Sequence, residues 1–245
     1  MVMDLEHDNI VRRDFKHGKI AYGFQWNMSH HKELGNTQGD LASLWAHLLM
    51  VKNGEIPEEP FRDPFYGRSS TLKLPKMNTR AKVAFRRKLI RNGVIVKDVS
   101  SSLVTFLRDF HIARNDHSFR ADHSILQDFL YEDSSALAIE IPVWSDHYKI
   151  SGHIDLIRFV DDKIQVCDYK PGPLDNVARR FLDSIPQVAS YGEMLSHHLA
   201  QTLRSALEAP LLPKVECCIF DTHSCWKFNS DLFVTLEMTN NIVGL

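Results

Sequence analysis

The sequence predicts a mixed α/β fold, a central mixed sheet flanked by helices, with a mostly helical N-terminal half. Three observations carry this prediction. Apolar residues recur at helical spacing in the segments before residue 133. Three strand-like runs then follow one another between 136 and 169. A long helical pattern and two more strand-like runs close the order, which is that of a sheet covered by helices. The chain has 245 residues, 44% of them hydrophobic and 24% charged, enough for a sizeable core in one globular unit. Residues 1–245 are therefore expected to form a single domain, with a mostly helical part at 1–133 and a sheet-and-helix core at 134–245.

Taken in order, the opening residues MVMDLEHDNIVRRDFKHG are polar and mixed in charge, without the apolar core of a secretory signal. No apolar run reaches the roughly 18 to 20 residues that span a bilayer, so an intracellular chain with no membrane partner is expected. Leu41, Leu44, Trp45 and Leu48 predict a helix over 36–51, with Thr37 as its cap. Gly54, Pro57, Pro60, Pro64 and Gly67 make 53–70 a connector. Helices are expected at 78–90, 101–114 and 122–131. Strands are expected at 136–144 (ALAIEIPVW), 149–160 (KISGHIDLIRFV) and 163–169 (KIQVCDY). A loop after Pro171 leads to a long helix over 186–209, with Pro186 suited to its first turn. Strands at 214–221 and 225–228 finish the pattern.

The net charge of −2 argues against wholesale electrostatic binding of nucleic acid, but the charge is unevenly spread. From Pro64 to Lys97 there is no acidic residue, while ten lysines and arginines occur, Arg86 and Arg87 at the centre of the predicted basic helix. Such a stretch either neutralises phosphates or forms a solvated helix face. Cys167, Cys217, Cys218 and Cys225 contain no C-x-x-C pair, and neighbours on a strand point to opposite faces. Reduced structural thiols are expected, not disulfides or a four-thiolate metal site.

The chemistry-bearing inference needs only strand geometry. If Asp161 and Asp162 form a two-residue hairpin loop, Val160 pairs with Lys163 and Asp155 lies opposite Asp168. Opposed residues project to one face with Cβ atoms about 4.5 to 5.5 Å apart. Lys170 shares that face, and His153 falls opposite it. Two facing carboxylates must share a proton, recruit a cation or reach solvent. Their hard oxygens suit Mg2+ or Mn2+, and an adjacent ammonium completes an apparatus for phosphodiester hydrolysis. The plain alternative is a half-exposed hairpin in which Lys170 is a cross-strand ion partner.

The ordered pieces Gly152-His153-Ile154-Asp155, then Asp168-Tyr169-Lys170, then Gln187-Val188-Ala189-Ser190-Tyr191 resemble the PD-(D/E)xK nuclease superfamily. Within it they are similar to the RecB-like exonuclease branch, which carries G-x-x-D, D-x-K and Q-x-x-x-Y in that order. The resemblance covers about 136–228. It implies a restriction-endonuclease-like fold and a Mg2+- or Mn2+-dependent deoxyribonuclease, preferably an exonuclease on single strands or DNA ends in repair, recombination or defence. The alternatives are a structure-specific endonuclease on the same fold and a non-cleaving nucleic-acid-binding protein.

Carried over by position, Asp155 and Asp168 resemble the metal-binding carboxylates, with the backbone carbonyl of Tyr169 completing the shell, and Lys170 resembles the catalytic lysine. Gln187 and Tyr191, one helical turn apart, resemble the pair that contacts DNA; Arg86 and Arg87 would hold more distant phosphates. The branch also places a metal-binding histidine on an N-terminal helix, for which His47 is the candidate, with His30, His31 and His123 as rivals. Glu140 and His153 are candidates for a supporting shell around the metal-bound water. Relatives that hold an iron–sulfur cluster use closely spaced cysteines; the spacings here differ, so no cluster is expected. No G-x-x-x-x-G-K-[ST] loop occurs, so no ATP-driven motor is expected in this chain.

Overall fold

A computed structural model describes residues 9–17, 20–36, 39–74, 76–114, 124–171, 178–204 and 215–235. Its centre is a mixed nine-stranded sheet. The strands are β1 (Ile10–His17), β2 (Ile20–Asn27), β3 (Gly67–Arg68), β4 (Val96–Asp98), β5 (Ala136–Ser145), β6 (Ile150–Val160), β7 (Lys163–Tyr169), β8 (Val215–Phe220) and β9 (Cys225–Asn229). Their order is β1-β2-β5-β6-β7-β8-β9-β4, and β3 pairs with β6 off this path. The pairing of β7 with β8 is parallel, which requires a crossover, and the long helix between them supplies it.

The helices are α1 (Asp40–Asn53), α2 (Glu59–Arg62), α3 (Thr79–Arg91), α4 (Ser102–Arg114), α5 (Ser124–Glu132), α6 (Ala178–Arg204) and α7 (Leu232–Thr235). One face of the sheet carries α1, α3 and α6, where Leu44, Leu48, Ile185 and Val188 pack on Val143, Ile154 and Val166. The other face carries α4 and α5, with Leu103, Leu107, Leu126 and Phe129 against Leu156, Cys167 and Phe220. All four cysteines are free thiols and buried, and Cys217 and Cys218 enter opposite cores, as neighbours on one strand must.

Two expectations need correction. The N-terminal half is not mostly helical: Ile10–Asn27 forms the β1–β2 hairpin, and β3 and β4 come from the same half. Along the edge strand β1 the charged residues Arg12, Arg13 and Asp14 stand together, without a period-two alternation, so the run reads as a polar N-terminus until β2 pairs with β5. The long helix also begins at Ala178, eight residues ahead of Pro186, which sits inside it. Phe181, Leu182 and Ile185 are fully buried against the sheet, and their burial outweighs the hydrogen bond that proline cannot donate. Helices α1, α3, α4 and α5 fall close to expectation, whereas α2 lies within the expected connector and α7 was not expected. Asn78 caps α3 by accepting from the Ala81 amide at 2.8 Å. At α1 the cap position is Gly39, and Thr37 lies outside the described residues.

Candidate active site

The β6–β7 hairpin has the predicted register: Val160 pairs with Lys163, and the ladder continues to Leu156 opposite Cys167. The loop residues Asp161 and Asp162 have φ of 50° and 58°. Both central residues are thus left-handed, the type I′ geometry whose twist matches the flanking strands, and aspartate tolerates it better than most residues. The ladder ends at Leu156–Cys167, and Asp155 and Asp168 are the next residues along the two strands.

Both carboxylates are buried, Asp168 completely and Asp155 to 8% exposure. Asp155 Oδ2 accepts from the Tyr169 amide at 3.2 Å, which ties the two strands together at this level. Lys170 Nζ lies 3.0 Å from Asp168 Oδ1 and 2.7 Å from Oδ2, and donates to Gln187 Oε1 at 3.3 Å. Gln187 in turn donates through Nε2 to the Tyr191 hydroxyl at 2.9 Å. Three sequence pieces from β6, β7 and α6 thus form one connected polar chain. Burial first, then the nearby Asp155 and Asp168 charges, push the Tyr191 hydroxyl well above its ordinary pKa against the opposing Gln187 bond, so it stays protonated.

Gly152 explains why this piece of β6 starts with glycine. A Cβ there would overlap the Tyr191 ring and approach the Ser69 side chain to 3.2 Å. The missing side chain is the space in which the tyrosine lies, so β6 and α6 are mutually fitted at this point.

Glu140 falls on β5 between the pairs Ile139–Leu156 and Ile141–Ile154, at the level of Asp155, with φ of 54°. Ile139 and Leu156 enter the core beneath α4 and α5, whereas Ile141 and Ile154 enter the core beneath α6. Regular strands keep i and i+2 on one face, so the pleat resets at Glu140 and Asp155. A non-glycine residue held at positive φ is a local cost that the surrounding pairing must outweigh.

Beside this reset the sheet opens. β2 pairs with β5 at Gln25–Ile139 and Trp26–Ala138, the two rungs between them among the described residues. A cleft of about 590 Å³ occupies the gap, lined among others by Asp155, Glu140, His153, Tyr191, Tyr22 and Arg68. His153 stacks on Tyr22 with ring centroids 3.4 Å apart and planes 9° apart, and Phe61 of α2 lies 5.5 Å from the same imidazole. Asp168 and Lys170 are not among the residues that line the cleft.

Other predicted residues lie elsewhere. His47, on α1, is buried against Trp144 and His198, with ring centroids 6.4 and 5.1 Å away, and hydrogen-bonds the Pro142 backbone. Burial, aided by His198, holds its pKa near 3. His30 hydrogen-bonds the Ala136 carbonyl at 2.7 Å, and His31 lies 3.3 Å from Glu33; His123 is outside the described residues. Arg86 stacks on Trp226 of β9 at 4.7 Å, so its guanidinium is committed to packing, while Arg87 is exposed. Lys82 of the same helix pairs with Asp183 at 2.6 Å. Sequence reasoning missed Tyr22 and Arg68. Arg68 was visible only as one of ten cations, and Tyr22 lay in a hairpin that was not anticipated.

Among the described residues, no group of three or more His, Cys, Asp or Glu side chains could hold a metal ion by itself. Among them also, no helix is long and apolar enough to cross a membrane. Neither protein-family models nor curated proteins give a match to this chain.

Proposed function

We propose that this chain is a metal-dependent deoxyribonuclease of the PD-(D/E)xK type, RecB-like in its motifs and restriction-endonuclease-like in its sheet, with a preference for single strands or DNA ends. The observation that carries the reading is the polar chain Asp168–Lys170–Gln187–Tyr191, with Asp155 facing Asp168 and opening onto a cleft. Nothing in the packing of a merely structural hairpin calls for two buried carboxylates side by side, since each costs several kcal/mol to desolvate.

The donor set suits a hard divalent ion. Mg2+ typically takes one or two carboxylates and fills its remaining positions with water and phosphate oxygens. Asp155 and Asp168, with the Tyr169 carbonyl, would hold it without a third acidic side chain. The ion, when bound, would lower the pKa of a water and screen charge on a phosphate. Lys170, fixed by Asp168 and Gln187, would hold its ammonium toward the developing negative charge. Gln187 and Tyr191 would keep that lysine and the incoming strand in register. Glu140 and His153 border the same space and would orient water at the cleft wall. Arg68 at the rim and exposed Arg87 farther away would hold phosphates.

The test is incubation of purified protein with end-labelled linear and circular DNA in Mg2+, Mn2+ or EDTA. Metal-dependent degradation of linear substrate, abolished in Asp168→Asn, is the expected result. Cutting of circular single strands would make the enzyme an endonuclease, and binding without cleavage would make it a DNA-binding protein. Unchanged cutting by a folded Asp168→Asn would refute the site.

A further inference from the structure

We infer that Tyr22, stacked on His153, is a platform for an unpaired nucleobase, so that the cleft reads single-stranded DNA by stacking as well as by charge. This rests on the nuclease reading above and adds to it the residue that selects the strand's form.

The ring pair is built from separate parts of the chain. Tyr22 comes from β2, beyond the last rung β2 shares with β5, and His153 comes from β6, between Gly152 and Asp155. Their planes are parallel within 9°, and Phe61 closes the far end of the imidazole. Tyr22 is half-buried, His153 is 7% exposed, and both line the cleft that Asp155 enters. The Tyr22 hydroxyl is raised above its ordinary pKa by burial, with Arg68 opposing and Glu140 adding to the rise, so this ring lies between the basic rim and the acidic wall.

A base needs an aromatic face, and its phosphate needs a cation at the next position along the strand. The cleft supplies the face at Tyr22 and the cation at Arg68, and Asp155 lines the same space. Its volume of about 590 Å³ lies in the range of small-molecule pockets and suits one or two unstacked nucleotides, not a duplex. A paired base would have to leave its stack to reach Tyr22, and that cost makes an unpaired end the favoured substrate.

The experiment measures fluorescence anisotropy of short single-stranded deoxyoligonucleotides at low salt in EDTA, one strand carrying all its bases and one abasic at the terminal positions. The wild-type protein should bind the complete strand about tenfold more tightly than the abasic one, as one base–aromatic stack implies. Tyr22→Ala should erase that difference, and Tyr22→Phe, which keeps the ring, should restore it. A terminal 2-aminopurine should be quenched on binding wild type and not Tyr22→Ala. Equal wild-type affinity for the two strands overturns the platform, even if Tyr22→Ala fails to fold. If that protein still degrades DNA with Mg2+, the nuclease reading survives alone. Absence of both binding and cleavage removes the nuclease reading and the platform with it.

Discussion

Acid should destabilise this protein through a pair of histidines that the active-site reading does not use. His47 is 3% exposed and lies beside His198, with Nε2 buried and without a hydrogen-bond partner among the described residues. Burial, followed by the neighbouring His198, lowers the pKa of His47 from 6.5 to about 3. Burial likewise lowers that of His198 to about 4, while its bond with the Trp144 backbone opposes the shift. Both are therefore neutral in the folded protein at pH 5, whereas the unfolded chain takes up a proton at each below pH 6.5. Stability from this source is fully present above pH 6.5 and is lost as the pH falls toward 4 for His198 and 3 for His47.

Each pH unit in that window removes about 1.4 kcal/mol per histidine. Moving from pH 8 to pH 5 should thus cost about 2 kcal/mol through each ring, or about 4 kcal/mol together. Carboxylates titrate over part of the same range, so the contribution is best isolated by a variant. His47→Leu fills similar space without the unpartnered nitrogen, and its stability at pH 8 should stay within about 1 kcal/mol of wild type. Urea unfolding at pH 8, 7, 6 and 5 would give the two stability curves. Relative to their difference at pH 8, the variant should gain about 2 kcal/mol over wild type by pH 5. Parallel curves would refute burial of a neutral His47. A stability loss on EDTA treatment that occurs in wild type and not in His47→Leu would instead make this ring a metal ligand.

Gly152→Ala should cost about 1 to 3 kcal/mol by overpacking the Tyr191 ring, and cleavage should fall further than thermal stability does; normal activity would show that Tyr191 can move without consequence. Lys170→Met should lower Mg2+-dependent turnover by about 100-fold or more while changing DNA affinity little, and a pure binding defect in competition assays would contradict its placement toward the reacting phosphate. Arg87→Ala should reduce the salt slope of DNA binding by about one. Arg86→Ala should leave that slope alone and lose about 1 kcal/mol of stability from its stack on Trp226; equal slopes for the two variants would mean that α3 does not meet the phosphates.

The parts of the site legible in the sequence are those fixed by local geometry. Asp161-Asp162 between two apolar runs sets a two-residue loop, and the loop sets every pair of the hairpin through Leu156–Cys167. Gln187 and Tyr191 meet because residues four apart share a helix face. The parts not legible depend on distant partners. Tyr22 is placed by where β2 stops pairing with β5, and the pleat reset at Glu140 is placed by which core accepts Ile139 and which accepts Ile141. His47 looked like a ligand because it is a histidine on an N-terminal helix, but its partners Trp144 and His198 come from β5 and α6. Arg86 and Arg87 are equivalent in sequence and separate in space because one of them faces Trp226.

The two aspartates are not equivalent, and the difference bears on how the site would work. Asp168 is fully buried and is neutralised by Lys170 on both of its oxygens. Asp155 reaches the cleft and takes a neutral amide as the bond that ties it to β7. Asp155 shares the cleft lining with Glu140 and Arg68. In the proposed enzyme, Asp155 and Asp168 would hold the divalent ion and Lys170 would keep its ammonium beside them. The 3.3 Å bond to Gln187 would help to hold that ammonium in place. On that proposal Gln187 would be a positioning residue for Lys170, which the Asp168 carboxylate holds from the other side.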